Sequence, residues 1–385
     1  MSGAVVLLLV TNRHQFIDLA VYRFGVQAWW GGRDIYGALP PTSAGIVLPY
    51  IYPPFSALVL LPFTVTPWAV AVRATFVLSV VALAITLYVV ARRFWPDGGR
   101  RGALTVSAVA LPLAMVLEPV RETLGFGQIN LWLMALVTVD CLTRKPWWPR
   151  GLLVGLAAAI KITPVAFVLF FVLRKDFRSV RNAAIGGGAA TAVGFVVAPQ
   201  ESVKYWFGGL AGASGISGAP YATNQTITAA LARLGFSDSW QLGLRVVLTL
   251  AVLGAAVVIM VRVDPPLALM VNAAAALVVS PTSWSHHWVW IAPTMLVLTG
   301  YAMRADKGRW TAVVAVTAAV FVTAPHQMLP RGADRRFDWA VWQHFVGNAF
   351  LLVTLAALFA GAWSLGRRPA WHDPHTRSIT NRLSP

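Results

Sequence analysis

Acidic residues are scarce in this chain. Only 14 of its 385 residues are Asp or Glu, and the glutamates are Glu118, Glu122 and Glu201. No two aspartates stand at i and i+2, so the Asp-x-Asp signature of metal and nucleotide-sugar binding is absent. The sequence also lacks a phosphate-cradling Gly-rich loop, Cys/His metal spacing and a Gly-x-Ser-x-Gly elbow. We therefore expect no ATP, zinc or serine chemistry, and neither a bound metal nor a cofactor.

Charge of either sign is also sparse. Charged residues make up 12% of the chain, whereas a soluble domain carries about 25%. Hydrophobic residues reach 57%, with a mean hydropathy of +0.66. Apolar runs cover residues 68–91, 183–198, 242–261, 267–279, 288–300, 311–324 and 345–363. Because a spanning helix needs about 20 apolar residues, we predict an all-α polytopic protein with about 10 to 13 membrane segments. We expect one integral-membrane domain over residues 1–385.

The basic residues lie in short loops between the apolar runs. The net charge of +17 therefore reflects the positive-inside rule rather than nucleic-acid binding. We expect cytoplasmic termini, with a tail at 366–385, and outward-facing segments at 13–49, 200–225 and 326–342. The apolar stretch 4–10 is too short to span, so we expect the numbered start to trim a first helix. The single cysteine, Cys141, excludes an internal disulfide.

One apolar run contains a lysine near its middle. Lys161 and Pro164 interrupt the run 151–173, which joins two basic clusters. Two half-helices meeting at Lys161 would return the chain to the cytoplasmic side, and such breaks occur only beside protein or a water-filled cavity. A structural lysine would snorkel to water, but a mid-run lysine has no short route there. We therefore predict re-entrant or half-spanning helices and a functional Lys161.

Asp18 stands just beyond the hydrophobic start. It shares one face of a predicted interfacial helix, 16–30, with Tyr22, Gly25 and Trp29. A carboxylate at the mouth of an apolar bundle could be a general base, or it could simply be an interfacial residue at a helix end. Position alone does not separate these two interpretations.

Several other polar groups lie beside apolar runs. His286 and His287 could donate to a phosphate or carry a proton, or they could be interfacial histidines bonded to loop backbone. Arg121, Gln128 and Asn130 lie near a predicted helix start, where they could bind an anion or cap the helix. A charged outer loop, in contrast, reads as solvated surface; its residues are Arg331, Asp334, Arg335, Arg336 and Asp338.

One base and several cations facing an outer cavity indicate a particular chemistry. The carboxylate would deprotonate a hydroxyl, and the cations would stabilise a phosphate leaving group. Lysine, arginine and histidine can supply that charge without a metal.

The chain resembles the glycosyltransferase-C superfamily, specifically the polyprenyl-phosphate-sugar-dependent transferases of family 87. The residues that carry the resemblance are 16–18, 52–54, 127–130, 161–164, 224–225 and 283–287. Within this actinobacterial family the chain resembles the mycobacterial α-1,2-mannosyltransferases that elongate phosphatidylinositol mannosides.

The resemblance implies a polyprenyl-phosphate-mannose donor, a lipid-linked mannoside acceptor and an outward-facing site in the plasma membrane. It also implies inverting transfer with Asp18 as the base. We assign the donor phosphate to Lys161, His286, His287 and Arg121. We assign substrate binding to Tyr22, Tyr52, Gln128, Asn130, Asn224, Gln225 and Trp284. We expect a monomer that binds membrane lipid and no nucleic acid.

Two other functions remain open from the sequence. Relatives in the family transfer arabinofuranose from a decaprenyl phosphate, and the motifs do not fix the sugar. A polyprenyl-lipid flippase would also need a cationic cavity, but it has no use for an outer carboxylate base. A secondary transporter should show inverted repeats, which we do not find.

Overall fold

The computed structural model describes residues 15–208, 218–304, 307–329 and 339–366. Three sequence predictions lie outside these residues: the trimmed first helix near 4–10, the charged loop 331–338, and the tail beyond 366.

The described residues form helices, together with one isolated β-bridge between Asn224 and Trp284. The predicted all-α class is confirmed. The α-helices are α1 (Ile17–Trp30), α2 (Phe55–Val65), α3 (Trp68–Phe94), α4 (Gly99–Ala114), α5 (Glu118–Phe126), α6 (Asn130–Leu142), α7 (Leu152–Ile160), α8 (Val168–Leu173), α9 (Phe177–Val197), α10 (Pro199–Phe207), α11 (Ile227–Arg233), α12 (Asp238–Met260), α13 (Pro265–Val279), α14 (Ile291–Arg304), α15 (Lys307–Thr323), α16 (Val341–Gly347) and α17 (Ala349–Leu365). Short 3-10 turns occupy Pro96–Gly98, Thr163–Phe167, Ser285–Trp290 and Pro325–Met328.

Within the described residues, four helical stretches are long and apolar enough to cross a membrane. They are Trp68–Phe94, Phe177–Val197, Asp238–Met260 and Trp310–Met328. The number is six if each of two sharply bent pairs is one span: Pro96–Ala114 with Glu118–Phe126, bent by 78°, and Val341–Gly347 with Ala349–Leu365, bent by 75°. Shorter apolar helices are Phe55–Val65, Asn130–Leu142, Thr163–Leu173 and Pro265–Val279. The protein is polytopic, and the predicted segment number is reached only if these shorter helices also lie in the bilayer.

The long helices direct large apolar side chains away from the protein interior. On α12, Leu242, Val246, Val247 and Leu250 are all about half exposed or more. A contiguous apolar face of this kind would aggregate in water. In a bilayer it contacts lipid chains, and the helix satisfies its own backbone hydrogen bonds.

Helices α7 and α9 pack closely because their contact is built from glycine. A Cβ atom placed on Gly155 would lie 2.3 Å from the Ala183 carbonyl oxygen and 2.7 Å from the Gly187 nitrogen. Small residues allow membrane helices to approach in this way, because packing rather than the hydrophobic effect drives their association. The contact holds α7, which leads directly to Lys161.

A buried aspartate caps the beginning of α7. The Asp140 carboxylate accepts the backbone N–H groups of Gly151 (3.0 Å) and Val154 (2.9 Å), together with the indole N–H of Trp148 (2.9 Å). The two backbone bonds satisfy helix-start donors that have no partner within the helix. Asp140 therefore sets where the half-helix begins.

Replacing Asp140 with Ala is expected to destabilise the protein by about 1–3 kcal/mol, because two buried backbone donors and the partly buried Trp148 indole lose their acceptor. The apparent Tm of the detergent-purified protein should fall. Asp97→Ala is the matched control, since Asp97 is exposed in a 3-10 turn. Equal Tm values for the two variants would contradict this role for Asp140.

The predicted interruption at Lys161 is present. Helix α7 ends at Ile160, Lys161 has extended backbone (φ −147°, ψ 129°), and a 3-10 turn starts at Thr163 with Pro164 in its first positions. The break places Lys161 directly after the last residue of α7, where the regular hydrogen bonds of the helix end. The direction in which the chain leaves this break relative to a bilayer stays a prediction.

Candidate active site

The site is assembled where the start of α1 meets the end of α5. Phe16, immediately before α1, has left-handed backbone (φ 52°, ψ 44°), and its N–H donates to the Gly125 carbonyl at 3.2 Å. Gly127 ends α5 with a φ of 67°, and a Cβ there would lie 2.9 Å from both Leu19 Cβ and Phe16 Cδ1. Only glycine combines this backbone with this close approach. The turn directs the next residue, Gln128, toward α1.

Gln128 holds the Asp18 carboxylate. Its Nε2 donates to Asp18 Oδ2 at 3.1 Å, while its Oε1 accepts from the Ile129 N–H at 3.1 Å. The hydroxyls of Tyr22 and Tyr52 also point at Oε1, the latter at 3.3 Å. Because donors surround Oε1, the amide must present its N–H₂ to Asp18. The carboxylate is thereby oriented in the first turn of α1, where the helix dipole favours negative charge.

Tyr52 is near both the Asp18 carboxylate and Lys161. Burial raises the pKa of its hydroxyl well above the ordinary value, and the charge of Asp18 raises it further. Tyr52 therefore stays a neutral hydrogen-bond donor. A cation lies near its ring, since Lys161 Nζ is 5.4 Å from the centre of the Tyr52 ring.

Lys161 is tied to the histidine pair through Asn130. Its Nζ donates to Asn130 Oδ1 at 2.9 Å, and Asn130 Nδ2 donates to the His286 carbonyl at 2.9 Å. Lys161 is only 9% exposed, and it lies within electrostatic range of both Asp18 and His287. Asn130 thus uses both ends of its amide to join two of the predicted phosphate ligands.

The two histidines have different surroundings. The His286 ring packs edge-on against Phe126, with ring centres 4.9 Å apart. His287 instead lines the cavity that also contains Lys161. His287 therefore shares a cavity wall with Lys161, and the assignment of either histidine to the site stays a prediction.

That cavity has a volume of about 350 Å³. Polar groups of Asn130, Lys161, Ser283 and His287 contribute to its wall. The rest of the wall is largely apolar and includes Leu133, Met134, Val137, Phe167, Leu277, Val279, Val289 and Trp290. An apolar cavity with a few converging donors and a cation suits a phosphate attached to a lipid chain.

Asn224 and Gln225 are buried and bonded to backbone. The Asn224 amide donates to the Ala219 carbonyl at 2.9 Å and accepts the Ser283 N–H at 3.0 Å. Gln225 Nε2 donates to the carbonyls of Ala222 (2.6 Å) and Gly347 (2.7 Å). The Asn224 bond to Ser283 fastens the 219–225 segment to residues 283–290, the histidine segment, and the Gln225 bond to Gly347 fastens it to the end of α16. They favour a positioning role over the substrate contact that the sequence predicted.

Two further predicted residues lie nearer the edge. Trp284 forms the bridge with Asn224, and its ring centre is 5.9 Å from that of the exposed Tyr221. Arg121 donates to the Val116 carbonyl at 3.1 Å, beside the start of α5. This contact gives Arg121 no support as a phosphate ligand, and that assignment stays a prediction.

Thr123 belongs to the site, although nothing in its local sequence predicted a functional role. It is fully buried on α5, and its hydroxyl donates to the His286 carbonyl at 2.6 Å. Only the tertiary structure brings these residues together, since they are 163 positions apart. Among the described residues, no group of three or more His, Cys, Asp or Glu side chains is arranged to hold a metal ion.

A carboxylate near a buried lysine, with a histidine on the same cavity as that lysine, among membrane helices, is the arrangement expected of a membrane-bound group-transfer enzyme. The chain belongs to glycosyltransferase family 87, whose family model matches residues 50–281. The predicted family membership is confirmed.

Three relatives of known name extend the comparison. Polyprenol-phosphate-mannose-dependent alpha-(1-2)-phosphatidylinositol mannoside mannosyltransferases of Mycolicibacterium smegmatis and Mycobacterium tuberculosis are each 36% identical to this chain. Those alignments cover 89% and 94% of this chain, and 82% and 88% of the relatives. The corresponding phosphatidylinositol pentamannoside mannosyltransferase of M. smegmatis is 31% identical over 78% of this chain and 73% of its own length. No solved structure matches the chain.

A second carboxylate beside Asp18 should change the pH dependence of turnover. In Gln128→Glu the two carboxylates would face each other across the present 3.1 Å contact, and like charges this close raise the pKa of the pair. The base would then be protonated at pH values where the wild-type base is ionised. The acid limb of the kcat/KM profile should move to higher pH. Gln27 is exposed on α1, the helix that carries Asp18, and Gln27→Glu should leave the profile unchanged. A wild-type pH profile for Gln128→Glu would contradict the contact between Gln128 and Asp18.

Proposed function

We propose that this protein transfers mannose from polyprenyl-phosphate-mannose to a phosphatidylinositol mannoside, forming an α-1,2 linkage on the outer face of the plasma membrane. The names of its relatives support the sugar, donor and acceptor. The observation that carries the mechanism is that the Asp18 carboxylate, held by Gln128, lies within electrostatic range of the buried Lys161, with Tyr52 near both. The loop charge pattern supports the outward orientation.

In this mechanism Asp18 is the general base. It accepts the proton of an acceptor mannose hydroxyl while that oxygen attacks the anomeric carbon of the donor. The bond between the anomeric carbon and the phosphate oxygen breaks as the new glycosidic bond forms, so a β-linked donor yields an α-linked product. Gln128 keeps the carboxylate directed at the incoming hydroxyl, and positioning of this kind lowers the barrier.

Polyprenyl phosphate leaves with one more negative charge than it carried in the donor. Lys161 and His287 lie on the cavity that would receive this phosphate, and they stabilise the charge as it develops. The apolar part of the cavity accepts the first isoprene unit. Because these side chains supply the charge, the proposed reaction needs no metal.

The test uses purified protein, labelled polyprenyl-phosphate-mannose and a phosphatidylinositol mannoside, with EDTA in place of any divalent cation. We expect a product one hexose heavier, whose new mannose an α-1,2-specific mannosidase removes. A parallel reaction with decaprenyl-phosphate-arabinose should give no product, and Asp18→Asn serves as the inactive control. Transfer of arabinose alone, a requirement for added metal, or lipid movement without a new glycosidic bond would each overturn the proposal.

A further inference from the structure

The carbonyl oxygen of His286 receives two side-chain donors from outside its own helical turn. Thr123 Oγ1 donates to it at 2.6 Å and Asn130 Nδ2 at 2.9 Å. The donors come from α5 and α6, which lie on either side of the Gly127 turn. One backbone oxygen therefore ties the histidine segment to the segment that carries Gln128.

Thr123 differs from the other helical threonines whose hydrogen bonds are known. Hydroxyls of this type donate to the carbonyl four residues earlier in the same helix. The residues that follow this pattern are Thr64, Thr86, Thr105, Thr294 and Thr323. Thr123 instead directs its hydroxyl across to another segment, while its own carbonyl accepts the Gln128 N–H at 3.0 Å. Thr123 therefore bonds both to Gln128, which binds Asp18, and to the histidine segment.

The histidine segment needs such external bonds. His286 and His287 lie in the 3-10 turn Ser285–Trp290, in which Trp288 departs from helical geometry (φ −78°, ψ 23°). A 3-10 turn has weaker internal hydrogen bonds than an α-helix, so its own ladder does not fix its position well. The direction of the His287 ring therefore depends on what holds the neighbouring carbonyl.

We propose that Thr123 is a positioning residue for the donor-phosphate site. Its hydroxyl, acting with the Asn130 amide, anchors the His286 carbonyl and so keeps His287 facing the cavity beside Lys161. This inference rests on the proposed function, because it assigns His287 to the donor phosphate. In this proposal Thr123 touches neither substrate and acts through the backbone carbonyl of His286.

The test compares three variants. Thr123→Val keeps the shape of the side chain but removes the hydroxyl, and Thr123→Ser keeps the hydroxyl. Thr86→Val is the matched control, since Thr86 is equally buried and donates only within its own helix. For each variant, binding of polyprenyl phosphate is measured by tryptophan fluorescence. The kinetic constants for the donor and for the acceptor are measured separately.

Thr123→Val should bind polyprenyl phosphate roughly tenfold more weakly, the size expected for the loss of one buried hydrogen bond. The KM for the donor should rise and kcat should fall, while the KM for the acceptor stays unchanged. Thr123→Ser should recover most of the loss, and Thr86→Val should resemble wild type. Wild-type binding by Thr123→Val, failure of Ser to restore it, or equal loss in Thr86→Val would each overturn the inference. If wild type binds polyprenyl phosphate but transfers no mannose, the proposed function fails, while the binding comparison still decides the role of Thr123.

Discussion

Asp18→Asn is expected to reduce mannosyl transfer by about 10²–10⁴-fold, the typical contribution of a general base. Asparagine keeps the shape of the side chain and can still bond to Gln128, but it cannot take the proton of the acceptor hydroxyl. The loss should therefore appear in kcat rather than in donor binding. Steady-state kinetics together with polyprenyl phosphate binding separate these two effects.

The matched control is Asp34→Asn, in the loop that follows α1, the helix that carries Asp18. Asp34 forms an ion pair with Lys204 in which both side chains are more than 40% exposed, and exposed pairs contribute little. We expect near wild-type turnover from this variant. If Asp18→Asn keeps a third of wild-type activity while Asp34→Asn loses it, Asp18 is not the base.

Lys161→Met is expected to lower kcat by about 10²–10³-fold, the range for removing one preorganised donor to a developing oxyanion. Methionine fills the space of the lysine stem without its charge. The Asn130 Oδ1 also loses its donor, which weakens the connection between Lys161 and the His286 carbonyl. Binding of polyprenyl phosphate should weaken together with turnover, unlike the result for Asp18→Asn.

Lys204→Met provides the comparison, because Lys204 is half exposed and pairs with Asp34. This variant should retain both binding and turnover. The assignment of Lys161 to the phosphate would be wrong if Lys161→Met bound polyprenyl phosphate as tightly as wild type. Equal loss in the two lysine variants would indicate a general effect of charge rather than a site.

The fold class and the break at Lys161 could be predicted from local sequence. Apolar run length decides whether a helix can cross a bilayer, and in lipid a helix must satisfy its backbone hydrogen bonds within the segment. Both constraints act over about 20 residues, so they can be read without knowing the neighbouring helices. The lysine and proline at 161 and 164 interrupt one such run, and the structure ends α7 at Ile160.

The partners of the site residues were decided by tertiary structure alone. Asp18 meets Gln128 across 110 residues and Thr123 meets His286 across 163. Nothing in either local sequence specifies the other partner. The same holds for which histidine lines the cavity with Lys161, since that depends on what packs around the 3-10 turn. Composition and run length thus determined a polytopic helical protein with few acids and one mid-run lysine. Helix packing, through contacts as close as those at Gly127 and Gly155, decided which of its polar groups face one another.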